Sequence, residues 1–200
     1  MFSRAVTGSL APGRCRCANG KGVGSLTCVD GAPTPSDIDI RTCRVLLVDT
    51  PPEQPAKRVL HELDGADEPV GPELLLRTGS ALWAAWLGCR PGVVPEVLVG
   101  LGTTGIVPTI ALSMASGVPY HLTWPIEPGR FLASGRVQGT RVLIVDDQVI
   151  HGYTLASFIS ALRDEAADVV GVLCLVEDAT GTGRRRVEST GVTLCTVRTL

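Results

Sequence analysis

The run RVLIVDDQVIHGYTL, residues 141–155, passes from four consecutive aliphatic residues into two adjacent aspartates, then through a short loop with one glycine into an apolar-periodic stretch. Continuous hydrophobicity predicts a strand covered on both faces. From Tyr153 onward, Leu155, Phe158, Ile159, Leu162 and Ala166 share one face at helical spacing, while Arg163, Asp164 and Glu165 fall largely elsewhere. The stretch therefore reads as strand, loop and helix. Asp146 and Asp147 at the end of a buried strand are costly unless they face a cleft and meet donors such as sugar hydroxyls. The free N–H groups and positive dipole end of the following helix suit a phosphate. A phosphorylated sugar satisfies both halves. The plainer alternative is that Asp147 caps the helix and Thr154 occupies its first turn.

The same alternation extends along the chain. Strand-like runs lie at 44–49, 96–100, 118–122, 141–146, 169–176 and 192–197, and helix-like stretches at about 72–88, 105–116, 153–166 and 182–189. This order predicts an α/β fold: a mainly parallel sheet flanked by helices, with right-handed crossovers. The first forty residues, rich in Gly, Pro and Cys, read as a loop-dominated N-terminal hood or flap. The expected division is 1–43 for the hood and 44–200 for the α/β domain. The stretch GPELLLRTGSALWAAWLG (71–88) reads as a core or dimer helix, with Trp83 and Trp86 as packing residues.

Two hundred residues with 44% hydrophobic content supply one sizeable core, and a formal net charge of −2 provides no basic field for nucleic acid or an anionic membrane. The ligand is expected to be small. The chain has no apolar run of membrane-spanning length, and its first residues lack the apolar core of a secretory signal, so a cytoplasmic protein is expected. Seven cysteines, at 15, 17, 28, 43, 89, 174 and 195, form an odd and scattered set and read as reduced thiols. Cys15, Cys17, Cys28 and Cys43 cluster without a usual zinc spacing, so no protein-built metal site is expected.

A second strand end is unusual. In VLVGLGTTG (97–105), Gly100, Leu101, Gly102, Thr103, Thr104 and Gly105 follow an apolar run and precede another apolar helix. Glycines let a backbone approach an anion closely and let successive N–H groups form a concave donor site. The letters also fit a dinucleotide-binding pattern, but no acidic residue ends the next strand about twenty residues on, as that reading requires.

Together the two motifs resemble the type I phosphoribosyltransferases, most closely the orotate enzymes. VLIVDDQVIHGYT is similar to that family's signature, GLGTTG to its pyrophosphate loop, and the stretch from Val169 to Leu200 to the carboxyl end of the orotate members. NGKGVGSLTCVD (19–30) loosely resembles their hood. The resemblance implies that Asp146 and Asp147 hold the ribose hydroxyls of phosphoribosyl pyrophosphate, and that Ile150, His151, Gly152, Tyr153 and Thr154 surround its 5-phosphate. It implies too that residues 100–105 cradle the pyrophosphate, that magnesium is held mainly by the substrate, and that the ribose 5-phosphate passes to a small-molecule acceptor. A homodimer is expected.

The chain also departs from the pattern. The family's phosphate loop is rich in Thr and Gly where this one has Ile150 and His151. Its mobile loop carries lysines, whereas HLTWPIEPGRFLASGRVQG (121–139) has none, leaving Arg130 and Arg136 as the nearest cations. Orotate is therefore disfavoured as acceptor. Trp124 is a candidate for stacking on a planar acceptor or for packing alone. Two functional classes follow: a transferase acting on an unusual acceptor, or a non-catalytic protein that binds phosphoribosyl pyrophosphate or a nucleotide.

Overall fold

The computed structural model describes residues 61–65, 69–127 and 130–200, together with the backbone of 44–47. The expected hood at 1–43, with its four cysteines, and the proline-rich 50–57 lie outside the described residues.

One sheet organises the domain. Its strands are β1 (Arg44–Leu47), β2 (Val97–Gly100), β3 (Tyr120–Glu127), β4 (Arg130–Ala133), β5 (Arg141–Val149), β6 (Asp168–Glu177) and β7 (Leu194–Thr199), in the order β1-β4-β3-β2-β5-β6-β7. The ladders β3–β2–β5–β6–β7 are parallel, while β4 runs antiparallel to both β1 and β3. Among the described residues four α-helices connect them, α1 (Pro72–Cys89), α2 (Ile106–Ser116), α3 (Tyr153–Asp164) and α4 (Gly183–Glu188). The mainly parallel α/β fold with flanking helices is thus observed.

The apolar run of β5 is continuous because each face of the sheet has its own core. Val142 and Ile144 join Phe158, Ile159 and Leu162 of α3 on one side. Leu143 and Val145 join Leu82 and Trp86 of α1 and Leu112 of α2 on the other. Trp86 is fully buried and donates its indole N–H to the Val93 carbonyl at 2.8 Å, so α1 is a core helix. A Cβ on Gly79 would stand 2.0 Å from the Ala111 carbonyl oxygen, which is why α1 and α2 pack so closely.

Two expectations are corrected. The segment 121–139 is not a loop throughout: β3 continues to Glu127 and pairs with β4 as an antiparallel hairpin. Proline removes a ladder donor and is unfavourable inside a central ladder. The parallel ladder to β2 ends at Leu122, so beyond it, among the described residues, β3 has only β4 beside it and Pro125 interrupts no central ladder. The cysteines are not all reduced either, since Cys89 and Cys195 form a disulfide with their Cα atoms 6.1 Å apart. It ties the end of α1 to β7 across a sequence separation of 106, for which chain entropy alone gives about 5 kcal/mol. Cys174 remains a free, buried thiol, its pKa pushed well up by burial and by the neighbouring Asp146 charge.

Candidate active site

The carboxyl end of β2 lies beside β5 just before the aspartate pair, since Gly100 pairs with Val145. The glycine loop leaves the sheet there, whereas β5 does not end at Asp146 as expected but runs on through both aspartates to Val149, still paired with β6. The Leu101 N–H donates to the Val145 carbonyl at 2.9 Å, and the Thr104 hydroxyl donates to Asp146 Oδ1 at 3.2 Å. The structure therefore brings the glycine loop and the aspartate pair into direct contact.

The three glycines of the loop do different work. A Cβ on Gly100 would meet the Thr109 hydroxyl at 2.7 Å, and one on Gly105 would meet Leu101 backbone atoms at 2.6 Å and the Val145 carbonyl at 2.7 Å. Both are required by packing beneath the loop. Gly102 has φ +62° and open space around it, with Phe131 the nearest group at 3.9 Å from a built Cβ. Its N–H donates to the Thr123 hydroxyl at 3.1 Å, which itself donates to the Gly100 carbonyl at 2.7 Å. Thr103 is exposed at the loop tip and Leu101 is buried under it.

Asp146 and Asp147 are both buried. Asp146 Oδ1 also accepts the Asp147 N–H at 2.9 Å, and Asp147 Oδ1 accepts the Gln148 N–H at 2.8 Å. Burial and then the adjacent Asp147 charge push the Asp146 pKa well above the usual carboxylate range. Burial also pushes Asp147 upward, but the His61 ring 3.5 Å away, followed by the hydrogen bonds of its other neighbours, outweighs it and holds this carboxyl below its ordinary value. The pair is thus asymmetric: Asp147 carries the charge and Asp146 retains a proton more readily.

The loop after β5 turns at Gly152, which has φ +70° and precedes α3. It rests on the segment leading into α4. The Gly183 N–H donates to the Ile150 carbonyl at 2.8 Å, the Thr182 hydroxyl to the His151 carbonyl at 3.4 Å, and Arg186 Nη1 to that same carbonyl. The Arg186 guanidinium lies 3.5 Å from the centroid of the Tyr153 ring. Thr154 is exposed in the first helical turn. The N–H groups of residues 151–155 donate to no other group among the described residues.

The two candidate cations are separated. The hairpin extends past the carboxyl end of β2, and Arg130 begins β4 at that end, opposite Glu127. Arg136 follows β4 on its return and lines a cleft with Gln138, Asp164, Glu165 and Ala166 at the far end of α3. The 12 residues of α3 put about 18 Å of helix between Arg136 and the loop at Tyr153. Trp124 pairs with Leu132 within the hairpin and is half-buried.

His61 and Arg186 were missed by sequence reasoning. His61 comes from the one-turn helix around Glu62–Asp64, and neither residue sits in a motif. The only sequence signal for Arg186 was its place in an arginine triplet after a glycine-rich turn.

Residues 100–197 match the phosphoribosyl transferase domain family. A hypoxanthine/guanine phosphoribosyltransferase from Methanotorris igneus is 34% identical over 71 residues, covering 36% of this chain and 38% of that protein. An orotate phosphoribosyltransferase from Methanospirillum hungatei is 30% identical over 92 residues, covering 44% of this chain and 54% of that protein. The chain thus spans between about two fifths and about half the length of these two curated relatives. In fold, the chain is similar to the Mycobacterium tuberculosis orotate phosphoribosyltransferase solved with 5-phospho-α-D-ribosyl 1-diphosphate. The TM-score is 0.53 at 23% identity, over 65% of this chain and 75% of that one. Residues 100–197, with both loops and the aspartate pair, belong to the phosphoribosyltransferase family.

Proposed function

We propose that the chain binds phosphoribosyl pyrophosphate across the two loops and transfers its ribose 5-phosphate to a small planar acceptor other than orotate. The observation that carries this reading is the Thr104–Asp146 contact at 3.2 Å, which makes one continuous surface of the glycine loop and the acidic pair. A pyrophosphate on the glycine loop then has its ribose hydroxyls beside Asp146 and Asp147, and the 5-phosphate beside the first amides of α3. A ring nitrogen of the acceptor attacks C1 as the bond from C1 to pyrophosphate breaks; pyrophosphate leaves with the electron pair and the acceptor nitrogen loses its proton. Positioning and charge stabilisation suffice, because no covalent enzyme intermediate is needed.

Magnesium enters this scheme with the substrate. Among the described residues, no cluster of three or more His, Cys, Asp or Glu side chains could hold an ion. Asp146 and Asp147 each already spend one oxygen on a backbone N–H, which suits them to sugar hydroxyls better than to a full coordination shell. Arg130, whose backbone starts β4 beyond the carboxyl end of β2, is our candidate to meet the leaving pyrophosphate, whereas the position of Arg136 at the far end of α3 argues against that role for it.

A second reading, a non-catalytic binder, is favoured by the hairpin that stands where the family carries its lysine-bearing loop. Release of radiolabelled pyrophosphate, measured against a panel of purine and pyrimidine bases with magnesium, separates the two. Base-dependent release supports the transferase; tight binding without release from any base supports the binder.

A further inference from the structure

The phosphate loop lacks the side-chain hydroxyls expected at Ile150 and His151, and the question is what orients its donors instead. A trans peptide unit is planar, so the carbonyl of one residue and the N–H of the next point in opposite directions; no cis peptide occurs among the described residues. The Ile150 carbonyl is held toward the α4 segment by the Gly183 N–H, so the His151 N–H points away from it. The His151 carbonyl is held to the same side by Arg186 and Thr182, so the Gly152 N–H points away as well. Two successive amides are thereby turned to the side opposite α4, and the N–H groups of Tyr153 and Thr154 at the helix start have no protein acceptor among the described residues.

Arg186 is itself fixed on three sides. It donates to the Thr182 hydroxyl at 2.9 Å, donates to the His151 carbonyl, and stacks on Tyr153. Its neighbours in the triplet differ. Arg184 is committed to buried Glu177, to Glu188 and to the Leu194 carbonyl, and Arg185 is exposed. A helical step of two residues separates a cation that braces the β6–β7 end from one that braces the phosphate loop. Glycines make room for this brace: a Cβ on Gly181 would stand 2.0 Å from the Ile150 carbonyl oxygen, and one on Gly152 would stand 2.9 Å from that of Gly183.

We infer that Arg186 is a positioning residue of the 5-phosphate loop, which turns the loop's amides outward by tying back the His151 carbonyl and so replaces the missing hydroxyl donors. This rests on the phosphoribosyl reading of the site. Arg186 acts through the backbone of His151 and Gly152 rather than by touching the phosphate, and its positive charge close behind the loop adds to the field that the helix start presents.

The test is amide NMR with two probes, ribose 5-phosphate and magnesium pyrophosphate, on the full chain. In the parent, ribose 5-phosphate should shift the amides of His151, Gly152, Tyr153 and Thr154. In Arg186→Met its affinity should fall about tenfold, as loss of one charge-assisted hydrogen bond implies, with the shifts at His151 and Gly152 lost and magnesium pyrophosphate binding unchanged. Arg186→Lys, which keeps the charge but not the planar fork, should recover only part of the affinity. Thr182→Val, a milder change to the same brace, should weaken ribose 5-phosphate about two- to threefold and leave pyrophosphate alone. Parent-like ribose 5-phosphate affinity in Arg186→Met overturns the inference. So does equal weakening of both probes in Thr182→Val. A parent that binds no ribose 5-phosphate removes the phosphoribosyl reading and this inference with it, and is told apart because the parent itself then fails.

Discussion

His61 Nε2 lies 3.5 Å from Asp147 Oδ2, joining a segment outside the matched family region to the carboxylate that keeps the charge of the acidic pair. His61 Nδ1 lies 3.7 Å from Asp64 Oδ2, so the ring is held between two acids. Both His61 and Asp147 are largely buried, a setting in which such a contact is worth more than its surface equivalent.

That contact sets an acid-side expectation. Asp147 is held below the ordinary carboxylate value, so it contributes stability that is present above its unfolded pKa of about 4 and is lost as the pH falls through the lower folded value. His61→Ala removes the leading group that holds the pKa down. The Asp147 pKa should then rise, and the midpoint of acid unfolding should move to higher pH, with a cost on the order of 1 kcal/mol near neutrality. Acid titration followed by circular dichroism checks this; an unchanged midpoint separates His61 from the pair.

Asp146 carries the opposite sign. Its raised pKa means that its contribution is present below the unfolded value and is lost as the pH rises through the folded one, because a second buried charge then forms beside Asp147. Asp146→Asn keeps an oxygen for the Thr104 hydroxyl and the Asp147 N–H but cannot ionise. Its melting temperature should match the parent near pH 4 and exceed it near pH 8. Thermal melts at the two pH values decide it, and a variant less stable than the parent at pH 8 contradicts the asymmetry. Strain of this kind is the expected signature of a site kept for binding rather than for stability.

The glycine loop predicts two distinct failures. Gly105→Ala forces a methyl group against Leu101 and Val145 backbone atoms and should lower the melting temperature and weaken every ligand together. Gly102→Val meets open space but a left-handed φ of +62°, a local cost of about 1 to 2 kcal/mol. It should abolish magnesium pyrophosphate binding while ribose 5-phosphate still binds. Calorimetry with the two probes, read beside the melting temperatures, distinguishes the cases; equal loss of both ligands in Gly102→Val would place the loop in the scaffold instead.

Much of this was legible in the sequence because it is local. The apolar run of β5, the adjacent aspartates and the helical period from Leu155 all lie within one strand–loop–helix unit, and their positions follow from pattern alone. That a glycine is needed at Gly102, where the backbone is left-handed, was legible as a demand for backbone freedom, whereas the packing reasons for Gly100 and Gly105 depend on Thr109 and Val145 and were not. The hairpin was not legible, since whether a strand can continue through Pro125 depends on where the β2 ladder stops. His61, Arg186 and the Cys89–Cys195 disulfide were hidden for a common reason. Each is one half of a contact made only when distant segments meet, as in the 35 residues between Arg186 and His151 or the 106 between the cysteines. Periodicity carries no information about such pairs.

The central claim is that the two loops and the aspartate pair bind one phosphorylated ribose, and calorimetry of phosphoribosyl pyrophosphate with magnesium tests it most directly. The parent should bind with one-to-one stoichiometry, and the double variant Asp146→Asn with Asp147→Asn should bind at least tenfold more weakly, because the charged Asp147 is lost as an acceptor for a ribose hydroxyl and Asp146 loses one of its two oxygens. Binding as tight in the double variant as in the parent, or no binding by a folded parent, contradicts the account.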